Sequence, residues 1–255
     1  MKSIRQVAAG VKTRVNEYFY KRQLPMVVTL TDFETAGVRF EISNLVETFR
    51  VLEHGGETEY TGAMLQDLRN DDVLFDIGAN IGMVALHAAK ICRTVAFEPD
   101  PAIQRRLKVN SALNPDRAFT LEPIAISDTD GSVVLYTDGD DGNSPSLVHQ
   151  RGESGSVTVT ARTLDSLCAE GRLPHPTVLK LDVEGAEILA LRGAQQLLTG
   201  PRRPRALFIE VHDTFLPGFG SSADEVNKML EDLGYTNAVY RAERWDQTHL
   251  ILHAS

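Results

Sequence analysis

The sequence predicts an α/β fold: a mostly parallel central sheet with helices on both faces, closed by an antiparallel C-terminal hairpin. Three observations predict it. From residue 57 onward, apolar strand-like runs alternate with segments of helical periodicity. Val178 to Asp182 and Ala206 to Val211 are near-continuous apolar runs, as strands buried on both faces require. Residues 73 to 100, VLFDIGANIGMVALHAAKICRTVAFEPD, run in order through a strand, a glycine turn, a helix, a second strand and a Pro-marked helix start.

The elements follow in chain order. Ile4, Val7, Ala8, Val11, Val15 and Phe19 recur every three or four residues, so residues 1–22 read as an amphipathic helix with a basic polar face. Such a helix packs on its own domain, touches a membrane surface, or joins two copies as a homodimer. Met26 to Leu30, Val38 to Ile42 and Phe49 to Leu52 read as short strands. Residues 1–56 thus form an N-terminal extension of one helix and a small β unit, and residues 57–255 the main domain. Glu57 to Arg69 is a helix with Tyr60, Met64, Leu65 and Leu68 inward. Val73 to Asp76 and Thr94 to Glu98 are the first two core strands. Asp100 caps the next helix with Pro101 at its first position. Phe119 to Ile126 is the third strand. Ser222 to Glu225 is a capping box, and Gly234 stops the helix it starts. Ala238 to Tyr240 and His249 to Leu252 suit the closing hairpin.

One segment departs from a minimal doubly wound plan. Between Gly131 and Ala161, two strand-like stretches flank a polar loop with Asn143-Ser144-Pro145-Ser146 at its centre. A structureless stretch of such length inside a compact domain is a lid, a binding loop or a mobile hairpin tip.

Composition narrows the function. Lys+Arg of 26 against Asp+Glu of 35 gives a net charge of -9, which repels nucleic acid and anionic membranes. No apolar run reaches the roughly 18 residues of a transmembrane helix, and the N-terminus lacks the apolar stretch of a signal peptide. Cys92 and Cys168 form no C-x-x-C pair, so reduced thiols and a cytoplasmic location are expected.

The turn Asp76-Ile77-Gly78-Ala79-Asn80-Ile81-Gly82 carries the chemistry. Gly78 lets a ligand lie against the backbone, and helix N-terminal amides face it. Glu98, twenty-two residues after Asp76, sits where a carboxylate accepts from both ribose hydroxyls of a nucleoside. Asn80 stands where a dinucleotide fingerprint needs its second glycine, which disfavours an NAD-dependent oxidoreductase. There is no G-x-x-x-x-G-K-[ST] loop either. Asp76 at the head of the turn suits a cationic ligand, such as the sulfonium or amino group of S-adenosylmethionine.

DIGANIG, then AFEPDP, PIAISD at 123 to 128, LKLDVEGAE at 179 to 187 and FIEVH at 208 to 212 resemble, in one unbroken order, the FkbM family of S-adenosylmethionine-dependent methyltransferases. The likeness spans about residues 57 to 235. It implies a Rossmann-like class I methyltransferase fold and O-methylation of a sugar, polyketide or similar hydroxylated small molecule. Beside the active site it places the serine-rich segment holding Asn143, Ser144 and Ser146.

Asp76, Glu98, Asp182 and His212 all end strands, where ligands bind in open α/β sheets. The cofactor is expected on Asp76, Gly78, Asn80, Gly82, Glu98, Pro99 and Asp182, with Ala125 and Ile126 beside the adenine. Glu210 and His212 share a face of their strand by its two-residue period. His212, with a pKa near neutrality, is the expected general base, flanked by Asp182 and Glu210. The same three residues are alternatively ligands of a divalent metal, which is not the favoured reading because no dedicated metal spacing is present. Glu184 either meets the acceptor or caps the helix starting near Ala186. Phe215 begins a Phe/Gly loop suited to a movable apolar wall on the acceptor side. A cofactor-binding scaffold without catalysis is the remaining alternative.

Overall fold

A computed structural model describes residues 23–54, 57–137, 146–148, 155–244 and 247–255. The helix expected over residues 1–22, together with Asn143 and Ser144, lies outside them.

The seven-stranded sheet has the order β11-β12-β10-β9-β3-β4-β5. Its parallel part comprises β3 (Val73–Ile77), β4 (Arg93–Phe97), β5 (Thr120–Glu122), β9 (Val178–Leu181) and β10 (Ala206–His212). β11 (Asn237–Arg244) and β12 (Gln247–His253) form the antiparallel closing hairpin, with β12 paired to β10. The chain runs outward from β3 to β4 and β5, then returns to β9 on the other side of β3. That reversal opens a crevice at the carboxyl ends of β3 and β9.

Both faces are covered. Leu207, Ile209 and Val211 pack with Phe75, Ile77, Leu179 and Leu181 against α5 (Leu164–Glu170), α6 (Glu187–Arg192), α7 (Gln195–Thr199) and α8 (Ala223–Asp232). The alternate residues Leu74, Val178, Ala206 and Phe208 pack against Tyr60, Met64 and Leu65 of α2 (Thr58–Asp67) and Val84 of α3 (Met83–Ala88). This second face turns polar toward the strand ends, where Asp76, Lys180, Asp182, Glu210 and His212 continue the same alternation.

Two expected elements differ. Phe49 to Leu52 is helical, not extended: it ends α1 (Leu45–Leu52). The Asn44 side chain accepts from the Glu47 N–H at 2.8 Å, and Glu47, Thr48 and Val51 are buried at helical spacing. The third strand is two strands. β5 stays in the main sheet, whereas β6 (Ala125–Ile126) joins β7 (Gly131–Thr137) and β8 (Gly155–Arg162) in a separate sheet of order β6-β8-β7. Pro123 between them has no N–H to continue a ladder.

The hairpin of β1 (Met26–Leu30) and β2 (Val38–Ile42) is held on the domain by α4 (Pro101–Leu113) and the turn after it. Val38, Phe40 and Ile42 pack with Ile81, Leu86 and Ile103. The Asn110 and Asn114 side chains accept from the Glu41 and Arg39 N–H groups at 2.9 Å, in place of a further strand.

Candidate active site

A cavity of about 420 Å³ occupies the crevice. Such a volume lies within the roughly 300–1,000 Å³ of small-molecule sites. At one end stand Gly78, Asn80, Glu98, Pro99, Ala125 and Ile126; at the other, Asp182, Glu184, Glu210, His212 and Phe215. The structure thus gathers residues from positions far apart in sequence around one space.

At the first end, Gly78 (φ +80) lets the turn press on β9: a Cβ there would lie 1.8 Å from the Asp182 carbonyl oxygen. Glu98 accepts from the Asn80 N–H at 3.0 Å and the Asp100 N–H at 2.8 Å. Burial pushes its pKa up to about 7 against those two hydrogen bonds. Each carboxylate oxygen keeps a further lone pair for a hydroxyl. Arg50, brought in by α1, donates to Asn80 Oδ1 at 2.7 Å.

Two residues expected on the ligand stand behind this wall. Asp76 is fully buried and ion-paired with Lys180, whose Nζ lies 3.1 Å from Oδ1. Its charge is therefore balanced within the protein, and among the described residues it does not line the cavity. Burial raises the Asp76 pKa and Lys180 opposes that rise; the carboxylates in turn hold Lys180 protonated despite its own burial. Gly82 precedes α3 and faces Leu107, also away from the cavity.

At the second end, Lys180 also reaches Asp182 Oδ2 at 3.2 Å. Burial works against the Asp182 charge, but Lys180 and His212 overcome it and hold its pKa low. Glu210 is raised well above the usual carboxylate range by burial, then by Asp182 and Glu57. His212 lies 2.7 Å through Nδ1 from Glu187 Oε1, and its Nε2 stands 3.6 Å from Glu184 Oε2 and 3.9 Å from Asp182 Oδ1. Burial disfavours the imidazolium, yet the Glu187 hydrogen bond and the three carboxylates outweigh it, so the pKa rises well above its ordinary value. The near-neutral value expected for a simple base is not what these surroundings give.

The LDVEGAE turn carries this wall. Glu184 has a left-handed backbone (φ 51), and a Cβ on Gly185 would meet Phe215 Cβ at 2.6 Å. Helix α6 takes no side-chain cap from Glu184; instead Glu187 Oε1 accepts from the Gly185 N–H at 3.0 Å. Phe215 stacks on His212 at 5.9 Å between ring centroids. Ser146 is buried and points its hydroxyl at the Glu184 carbonyl, while Leu147 beside it lines the cavity.

The family model described as "Methyltransferase FkbM domain" matches residues 76–236. The chain belongs to this family. FkbM membership makes it a methyltransferase with S-adenosylmethionine as the implied methyl donor. The hexuronic acid methyltransferase AglP of Haloferax volcanii is 27% identical over 86% of this chain and 85% of its own length. The 31-O-demethyl-FK506 methyltransferase FkbM of Streptomyces tacrolimicus is 27% identical over 84% of this chain and 88% of its own. The crystal structure of a methyltransferase FkbM from Methylobacillus flagellatus superposes with a TM-score of 0.48 at 19% identity, covering 82% of this chain and 52% of that one.

The sequence reading singles out neither Lys180, Glu187 nor Arg50. A lysine in the middle of a doubly buried strand is the signal that was present for Lys180, since lysine is almost never buried unpaired. Glu187 is hidden by its position in a helical pattern, and Arg50 by the strand assignment of its segment.

Proposed function

We propose that this FkbM-family chain transfers a methyl group from S-adenosylmethionine to a hydroxyl of a small molecule of the sugar or polyketide class. The observation that carries this reading is the single cavity joining the Gly78–Asn80–Glu98 end to the Asp182–Glu210–His212 end. On this reading Glu98 accepts from the ribose hydroxyls, the backbone at Gly78 and Asn80 lies under the nucleoside, and Ala125 and Ile126 flank the adenine. Asp182 faces the methionine portion from its strand end. Glu184 and Phe215 border the acceptor, with Ser146 supporting the turn behind them.

The acceptor oxygen attacks the methyl carbon in line as the carbon–sulfur bond breaks, leaving S-adenosylhomocysteine. Holding the two in line contributes roughly 7–11 kcal/mol in favourable cases. The hydroxyl proton is drawn off at the wall where Asp182, Glu184, Glu210 and His212 stand. The names of the Haloferax volcanii and Streptomyces tacrolimicus relatives point to hydroxylated acceptors, and support is greatest for that class. Free Cys92 and Cys168 suit a reducing, cytoplasmic setting.

The test is calorimetry with S-adenosylhomocysteine, followed by methyl transfer from isotope-labelled S-adenosylmethionine to a panel of uronic acids, neutral sugars and macrolides. Labelled product is expected from at least one acceptor. Binding of NAD without S-adenosylhomocysteine would favour the oxidoreductase reading; S-adenosylhomocysteine binding with no product from any acceptor would favour the scaffold.

A further inference from the structure

We propose that Asp182, Glu210 and His212 hold a divalent cation that takes the acceptor oxygen, an inference that rests on the methyltransferase reading above. One ligand atom from each of the three lies within 4.8 Å of the others. Metal–oxygen and metal–nitrogen bonds near 2.1 Å put adjacent ligands about 3 Å apart and opposite ones about 4.2 Å apart. Side-chain movements of no more than about 2 Å therefore close the three onto one ion. They come from the ends of two neighbouring strands, so rigid elements fix their positions.

The second observation is His212 itself. It is 2% exposed, and its Nε2 is buried with no hydrogen-bond partner. That nitrogen is aimed at the wall where Asp182 and Glu184 stand. Its other nitrogen is fixed by the buried Glu187 carboxylate at 2.7 Å. A carboxylate on one imidazole nitrogen, with the other left for an ion, is the arrangement that orients metal-bound histidines.

A mixed carboxylate and imidazole set suits manganese or magnesium among common ions, with manganese better matched to the nitrogen. The ion draws the acceptor hydroxyl to the wall and lowers its pKa. The O–H bond breaks with the proton passing to the Glu184 carboxylate, and the oxygen pair forms the new O–C bond. The C–S pair stays on sulfur, giving S-adenosylhomocysteine.

Glu210 also lies beside Glu57 and His249, a second group of similar reach. The Asp182 group is preferred because all three of its members line the cavity and Glu187 orients the His212 ring, whereas His249 does not line it; the experiment separates the two. EDTA-treated full-length protein is titrated with manganese chloride by calorimetry and electron paramagnetic resonance, and separately with S-adenosylhomocysteine. One saturable manganese per chain is expected. Affinity should fall at least about tenfold in Glu210→Gln, in Asp182→Asn and in His212→Ala, with folding checked by circular dichroism. It should be retained in Glu57→Gln.

Binding of S-adenosylhomocysteine with no saturable manganese overturns the cation while leaving the methyltransferase reading intact. Failure of S-adenosylhomocysteine itself overturns both. Loss of the ion in Glu57→Gln but not in His212→Ala assigns it to the other group and overturns the site proposed.

Discussion

Glu187 holds His212 by its Nδ1 at 2.7 Å with the same oxygen that accepts from the Gly185 N–H at 3.0 Å. One fully buried carboxylate thus ties the strand end of β10 to the turn that carries Glu184. Glu187 is a positioning residue: it acts on the reacting groups through the ring it orients.

Glu187→Gln keeps a hydrogen-bonding group of the same size and removes the charge. Methyl transfer is expected to fall about 10–100-fold, the usual cost of losing a partner behind an active-site histidine. Because the carboxylate raises the His212 pKa, the amide should let it fall. Imidazole titration by NMR on EDTA-treated protein checks this. A merely structural role would lower the melting temperature without moving the titration.

Glu98 predicts a pH dependence of cofactor binding. Its pKa stands at about 7, so it is largely protonated at pH 6 and ionised at pH 8. The ionised form accepts from both ribose hydroxyls; the protonated form loses one acceptor site. Affinity for S-adenosylhomocysteine should therefore rise between pH 6 and 8. For the empty protein the sign is opposite. A folded pKa above the ordinary 4.5 means stability from this group is present below about 4.5 and lost as pH rises toward 7. Calorimetry on Glu98→Gln should give weaker, flat binding across that range, and an unchanged slope would remove Glu98 from the ribose.

Lys180 reaches Asp76, Asp182 and the Gly78 carbonyl together, the last at 3.2 Å. Lys180→Met leaves the buried Asp76 carboxylate unpaired. A loss of about 3–5 kcal/mol is expected, read by chemical denaturation. Adding Asp76→Leu should recover much of it, since both charges are then gone. If the double variant is no more stable than Lys180→Met, the Asp76–Lys180 pair is not what the single change disrupts.

The sheet was legible because its strands are buried on both faces and its turns carry Gly, Asp and Pro where backbone geometry needs them. The strands β9 and β10, the capping by Asp100 and Ser222 and the closing hairpin all follow from such local signals. Local signals misled where the deciding contact is distant or subtle. Phe49 to Leu52 has a strand-like composition, and only the Asn44 cap and the burial of Val51 reveal a helix. In the site, strand-end position correctly drew attention to Asp182, Glu210 and His212 as neighbours. It could not tell that Asp76 would face Lys180 rather than a ligand, because that depends on the register Asp76↔Lys180 between β3 and β9.

Gly78 joins the two halves of the site, and Gly78→Ala tests how closely they depend on each other. The new methyl would stand 1.8 Å from the Asp182 carbonyl oxygen, a backbone atom that no rotamer change can remove. Overpacking of this kind costs roughly 1–3 kcal/mol, and the left-handed backbone at φ +80 adds about 1–2 kcal/mol for any residue with a Cβ. Relief requires the β3 turn to lift away from β9. That movement displaces the Asn80 N–H from Glu98 on one side and Asp182 from its strand-end position on the other. Both S-adenosylhomocysteine affinity and manganese affinity should therefore fall together, each by at least about tenfold, for a stability loss of roughly 2–5 kcal/mol. Calorimetry with each ligand, beside a denaturation curve, checks all three. Loss of one affinity with the other intact would mean that the nucleoside end and the Asp182 wall are not coupled through this contact.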